Sequence, residues 1–333
     1  MNRSPRPELV RTPGLDGSNP LGFLAALGLL CVLDHRARRE SLPLPHLSWI
    51  DDGYWQPVLH TSDDIDTIIT AVLEDKGSWA DDPAFLLAYD ASGGRLLDPR
   101  TGPDSVTRDL KPKPDAMRQF LENIAAEAEM KGSNRRTCLK TRRSMDTASA
   151  YGSEMVQDNN GNTKPFAFHF TAGQQRFLDA LARLQQEVCE DDVREALLGP
   201  WKGTSKLPSM SWDATIARVY ALRATDPSGE KRGSTPGADW LAFNALGLLL
   251  VTPRGRNLVT SGVRGGWKDS EFTWPLWSVP VSTKVVKCLL TMRSLPDLPA
   301  RERVTRGIVA VFSSSITRSD QGGYGGFSPA RVR

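Results

Sequence analysis

The chain has 333 residues, 39% of them apolar and 24% charged, enough to bury a sizeable core in one large domain or two. Its formal net charge of +3 is too small for a global field, so any nucleic-acid contact has to come from local clustering. Cys31, Cys138, Cys189 and Cys288 form no C-x-x-C pair, and His35, His46, His60 and His169 are equally scattered. This spacing speaks against a disulfide framework or a zinc site and for reduced thiols in a cytoplasmic protein.

Residues 1–13 are polar and carry Pro5, Pro7 and Pro13, which predicts an extended arm or edge strand. A helix follows. Asn19 is a good N-cap, Pro20 suits the first helical position, and Leu21, Leu24, Leu27 and Leu30 recur at helical spacing before a basic last turn at Arg36–Arg39. The apolar run Leu21–Leu33 is too short to span a bilayer, and Gly22 and Gly28 inside it predict close approach of another backbone. Ala26-Leu-Gly-Leu-Leu returns word for word at Ala245, through either coincidence or a duplication. Leu47–Ile50 and Trp55–Leu59 read as a hairpin and Asp63–Leu73 as a helix. Residues 51–82 hold nine acidic residues against Lys76, a surface expected to repel phosphate. Residues 115–131 form an amphipathic helix.

From Lys131 to Arg143 the chain offers Lys131, Arg135, Arg136, Lys140, Arg142 and Arg143 with no acidic residue, and 151–164 is polar. The pattern predicts a basic loop, mobile without a partner. Pro165–Thr171 alternates as a strand does, 174–189 is helical in pattern, and further strands are expected at 262–267, 272–279 and 307–313. Six tryptophans between Trp201 and Trp277 mark the main core or a stacking surface, and Asp239 is placed to cap a second buried helix. The expected fold is α+β, mixed small sheets with buried helices, in two halves (1–130 and 165–333) joined by a mobile basic loop (131–164).

Six cations within thirteen residues can neutralise several phosphates, with Asn134 and Thr137 adding hydrogen bonds; a solvated loop or protein-binding arm is the alternative. At the glycine-rich end, Gly322, Gly323, Gly325 and Gly326 permit close backbone approach, Arg318 and Gln321 can reach a base edge, and Tyr324 or Phe327 can stack. A plain turn would have the same composition. Lys202, Lys206, Arg254, Arg256, Arg264 and Lys268 either line a groove or cap helices and cover aromatic surface. Enzyme chemistry is weakly signalled. His169 reads as a satisfied core histidine, Asp213 and Asp226 as turn or cap residues, and Asp81-Asp82 and Asp269-Ser-Glu271 as poor metal sites; no phosphate-loop motif occurs.

The order Leu15-Asp-Gly-Ser-Asn-Pro-Leu-Gly-Phe-Leu-Ala-Ala-Leu-Gly-Leu-Leu, Ser209-Met-Ser-Trp-Asp, Gly237-Ala-Asp-Trp-Leu-Ala-Phe and Thr273-Trp-Pro-Leu-Trp-Ser-Val-Pro resembles large-subunit-like proteins of type I-G (formerly I-U) CRISPR effector complexes. The resemblance covers the start and much of 166–327, and leaves 40–165 unsupported. It implies a non-catalytic subunit without a cofactor, bound to guide RNA and target DNA, beside repetitive backbone proteins and a recruited helicase-nuclease, away from membranes. Large subunits of this type read a short motif beside the target with a glycine loop and a glutamine wedge, a role the resemblance would give to Gln321, Gly322 and Gly323. A metal-dependent nuclease or RNA-processing enzyme, or a protein-interaction scaffold, are the alternatives.

Overall fold

Asn19 starts the longest helix, α1 (Pro20–Glu40), by accepting the Leu21 N–H, and Pro20 occupies its first turn. In the computed structural model the described residues are 8–80, 82, 84, 109–130, 135–170, 175–216, 233–266, 269–318 and 325–333, with the backbone alone at 127–130 and 135–141. The other helices are α2 (Ile65–Ser78), α3 (Pro114–Met130), α4 (Arg135–Tyr151), α5 (Phe177–Glu187), α6 (Glu190–Leu198), α7 (Pro236–Asn244), α8 (Thr283–Leu290) and α9 (Ala300–Thr305). Strands β1 (Glu8–Arg11), β2 (His46–Asp51) and β3 (Trp55–Thr61) make a sheet ordered β1-β3-β2, so the N-terminal segment is the expected edge strand. Strands β4 (Gly152–Gln157) and β5 (Thr163–Pro165) form a hairpin, as do β6 (Val251–Arg254) and β7 (Asn257–Thr260). The largest sheet contains β8 (Val263–Arg264), β9 (Glu271–Trp277), β10 (Ile308–Arg318) and β11 (Gly325–Phe327), with β12 (Arg331–Val332) also on β10. All pairings are antiparallel and no barrel closes, so the fold is α+β.

Helix α1 is long and apolar enough to cross a membrane by length and composition, and it is mostly buried inside the protein. Its principal neighbour is α7. A Cβ on Gly28 would lie 1.7 Å from the Leu241 carbonyl oxygen, and one on Gly22 would lie 2.3 Å from the Asp16 carbonyl oxygen. The expectation of close backbone packing at these glycines therefore holds. Phe23 projects from α1 among Trp49 (5.9 Å between ring centres), Trp274 (5.8 Å) and Trp277 (6.5 Å), joining α1, β2 and β9. Buried indoles need a partner for their one N–H. Trp274 donates to the Gly17 carbonyl, Trp277 to Leu47 and Trp212 to Phe168. Trp212, Trp240, Trp274 and Trp277 thus belong to the core, with Trp201 packed against it, while Trp267 lies outside the described residues; the core includes residues of both 1–130 and 165–333.

Several local expectations are corrected. The basic run is helical from Arg135, because Ser144, Thr147, Ala148 and Tyr151 supply a buried face four residues apart that docks α4 on the core. Phe166–Phe170 does not continue a strand: the Pro165 strand ends there, and a turn sends Phe166, Phe168 and Phe170 into the aromatic core. The repeated pentapeptide has two conformations, α-helix at 26–30 and a 3-10 turn after α7 at 246–248. Asp239 lies inside α7, not at its cap. The acidic stretch is largely neutralised, since Asp52 meets Arg11, Asp63 meets Arg36, and Glu74 meets Arg39.

Candidate nucleic-acid interface

Helix α4 separates two arginines that are adjacent in sequence. Arg143 faces inward with its side chain 12% exposed. It donates to Asp75 (2.8 Å), Ser78 (3.0 Å) and Asp82 (3.0 Å), and its guanidinium lies 4.0 Å from the centre of the Trp79 ring. Ser144 donates to Asp82, and the Trp79 indole N–H lies 3.1 Å from both Asp75 and Asn244. Burial alone would raise the Asp75 carboxyl; His35 at 3.4 Å, the Arg143 charge and the Trp79 N–H outweigh it and hold the group below its ordinary range. Arg143 is therefore a structural residue, a correction to its expected place among the phosphate contacts.

Arg142 faces outward onto a cleft of about 190 Å³ between α1, α4, α8 and the 246–248 turn. On its walls, Arg38 binds both oxygens of Asp34 (2.6 and 3.0 Å), and Lys287 reaches Asp146 and the Gly247 carbonyl, each at 3.3 Å. Lys284 is exposed on the first turn of α8. Arg142 and Lys284 make no ion pair among the described residues. Cys31 lies toward the floor of the cleft. Burial, followed by the nearby Asp34, Asp146 and Asp75, raises its thiol, so it stays protonated and a poor nucleophile.

The chain leaves this cleft through the 246–248 turn and enters the β6–β7 hairpin, which packs against β4 and the end of α4. Gly255 takes a φ of 59° at the hairpin tip, a left-handed position that lets Arg254 and Arg256 flank a tight turn. Both arginines are exposed and make no ion pair among the described residues. Lys164 donates to the Arg256 carbonyl (3.1 Å) and Lys113 to the Asn160 carbonyl (3.2 Å), so two further cations stand at these hairpins.

The remaining candidates have separate fates. Arg135, Arg136 and Lys140 lie on the N-terminal turns of α4, while Lys131, Lys268, Gln321, Gly322, Gly323 and Tyr324 lie outside the described residues. Arg318 is mostly buried and donates to the Ala167 (2.6 Å) and His169 (3.1 Å) carbonyls. Burial lowers its pKa to about 10, and its task is to fasten β10 to the 166–170 turn, not to reach a base. Phe327 is buried against Phe168 and Phe272 and cannot stack on a base. Lys202 pairs with Glu195 (3.4 Å) and Arg264 with Asp297 (3.0 Å), while Lys206 is exposed nearby. His169 is buried and bonded to Asp109 (3.0 Å), and Asp213 accepts the Thr215 N–H in a turn, both as expected. Asp226 and Asp81 lie outside the described residues.

Sequence reasoning missed Lys284, Lys287, Lys164 and Lys113. The signal for the first two was present in Thr283-Lys-Val-Val-Lys-Cys-Leu-Leu, where lysines three apart alternate with apolar positions on a short amphipathic helix. No group of three or more His, Cys, Asp or Glu side chains among the described residues is placed to hold a metal ion. Comparison with protein-family models, curated proteins and solved structures gave no match.

Proposed function

We propose that the protein is a non-catalytic subunit of an RNA-guided surveillance complex of the type I-G CRISPR kind, where it holds nucleic-acid backbone. The observation that carries this reading is the set of exposed cations, without ion pairs among the described residues, on neighbouring elements. Arg142 and Lys284 stand at the cleft, and Arg254 and Arg256 at the tip of the adjoining hairpin. Surface charges without acidic partners repel one another, and phosphates relieve that repulsion with release of counterions. Arg135, Arg136 and Lys140 belong to the same helix as Arg142. Guide RNA and target DNA are the ligands this surface suits, with sequence reading left to base pairing. The complex itself, its repetitive subunits and its helicase-nuclease rest on the sequence resemblance.

Two of the carboxylates on which a nuclease reading would depend are already occupied. Asp82 is held by Arg143 and Ser144, and Glu271 by Arg331 and Arg333. Metal-assisted hydrolysis needs carboxylates free to bind the ions.

The test is a salt titration of binding to single-stranded RNA and duplex DNA. Arg254→Gln with Arg256→Gln should flatten the log–log salt dependence by about one unit per lost contact, whatever the sequence. An unchanged slope and affinity for both ligands would remove the hairpin from the interface and, with it, the reading.

A further inference from the structure

The cleft beside α4 differs from the open basic hairpin in shape and in charge balance. Its walls carry five cations, Arg38, Arg142, Arg143, Lys284 and Lys287 among them, and three carboxylates, Asp34, Asp75 and Asp146. Each carboxylate already has a cation: Asp34 has Arg38, Asp75 has Arg143, and Asp146 has Lys287. Arg143 divides its one charge between Asp75 and Asp82, so with Asp82 counted the cleft carries an excess of about one positive charge, and Arg142 and Lys284 are the cations that no carboxylate holds among the described residues. A free volume of about 190 Å³ holds on the order of six waters. That is room for one tetrahedral group and part of its substituent, below the usual size of a site that engulfs a whole drug-like ligand.

We infer that this cleft binds a single phosphomonoester, with Arg142 and Lys284 as its charged contacts. At neutral pH such a group carries a charge of about −1.5 to −2 and three acceptor oxygens, enough to engage Arg142 and Lys284 together. An internal phosphodiester carries only one charge and continues as chain on both sides, so it fits an open surface better than a concavity. Arg142 offers a planar fork to two phosphate oxygens, and Lys284 a compact point charge. The Thr147 and Thr283 side chains border the same space and supply hydroxyl donors. Neither charged contact packs in the core, since both are exposed. Substituting them therefore tests ligand binding and not folding.

The shared chemistry, a terminal phosphate, has two sources: a free nucleoside monophosphate or the phosphorylated end of a strand. The inference does not require the surveillance-complex reading. Calorimetric titration of the full chain would use adenosine 5′-monophosphate, adenosine, and one decanucleotide bearing either a 5′-phosphate or a 5′-hydroxyl. The phosphorylated member of each pair should bind about tenfold tighter or more, as for loss of a charge-assisted hydrogen bond. Arg142→Gln with Lys284→Gln should erase that difference, while Arg254→Gln with Arg256→Gln should leave it intact. A larger gain from the phosphate in the decanucleotide pair than in the mononucleotide pair would assign the cleft to strand ends, and a gain no larger would assign it to free nucleotides. Equal affinity for the phosphorylated and hydroxyl ligands in the wild-type protein overturns the inference. So does a phosphate preference that survives the Arg142/Lys284 pair of substitutions. Loss of decanucleotide binding in the hairpin variant alone bears on the backbone interface and not on this cleft.

Discussion

Asp82 and Asp239 are both fully buried, yet the protein treats them in opposite ways. Asp82 receives a hydrogen bond from Arg143 (3.0 Å) and one from Ser144 (2.7 Å), and it shares the arginine with Asp75. Asp239, inside the first turns of α7, accepts the Met210 N–H at 3.2 Å and has no cation beside it among the described residues. Burial therefore raises its pKa to about 8, opposed by the Met210 N–H and increased by the nearby Asp213. A buried carboxylate that is paired depends on its charge, whereas one left without a cation is most stable as the neutral acid. Asp75, which shares Arg143 with Asp82, and Asp239 should respond to pH with opposite sign.

The largest effect should come from breaking the paired site. Arg143→Ala leaves Asp82 as a buried charge without a cation and Asp75 with His35 and the Trp79 N–H alone, and should cost about 3–5 kcal/mol in urea unfolding. A loss within 1 kcal/mol would show that α4 does not depend on the network. Next comes Asp239. Its folded pKa lies above the unfolded value, so the native state binds more protons between about pH 4 and 8, and stability from this group falls as pH rises through that window. From pH 5 to 7 the fall should be about 2 kcal/mol, and Asp239→Asn should remove it. Identical pH profiles for the variant and the wild type would end the contrast.

Asp75 supplies the converse at smaller amplitude. Its folded pKa is depressed, so its contribution is present above the unfolded carboxylate value and is lost as pH falls through the folded one, below about pH 4. Arg143→Gln should shrink the acid loss relative to wild type, measured by thermal unfolding between about pH 5 and 2. The smallest effect belongs to Arg142. As an exposed neighbour of Arg143 it should change stability by about 0.5 kcal/mol or less when replaced by Gln, even where ligand binding is lost.

Local signals in the sequence survive because their partners are local. Asn19 caps Pro20–Glu40 through a residue two positions away, and the Leu47–Leu59 hairpin is held by adjacent strands. The distinction between Arg142 and Arg143 was not legible, since the partners that bury Arg143 lie 68 and 61 residues away. Both arginines read as one basic run. At the glycine-rich end the same limit hid the places of Arg318 and Phe327, because Arg318 is held by the Ala167 and His169 carbonyls and Phe327 by rings contributed from Phe168 and Phe272. Composition also could not separate the two Ala-Leu-Gly-Leu-Leu segments: one continues into a long helix, while the other tightens into a 3-10 turn that forms the cleft wall. Of the candidate interface, the sequence marked α4 and the hairpin arginines but missed α8, whose lysines gain meaning only beside Arg142.

The seam between α1 and α7 sets the timetable of synthesis. Helix α1 ends at Glu40 and its partner begins at Pro236, so the longest helix must wait for about 200 residues of translation before Leu241 can cover Gly28. At ribosomal speeds of roughly 5–20 residues per second, that interval is about 10–40 s. Throughout it the nascent chain carries a segment apolar enough in length and composition for a bilayer, with α2 as the neighbouring helix that is already made.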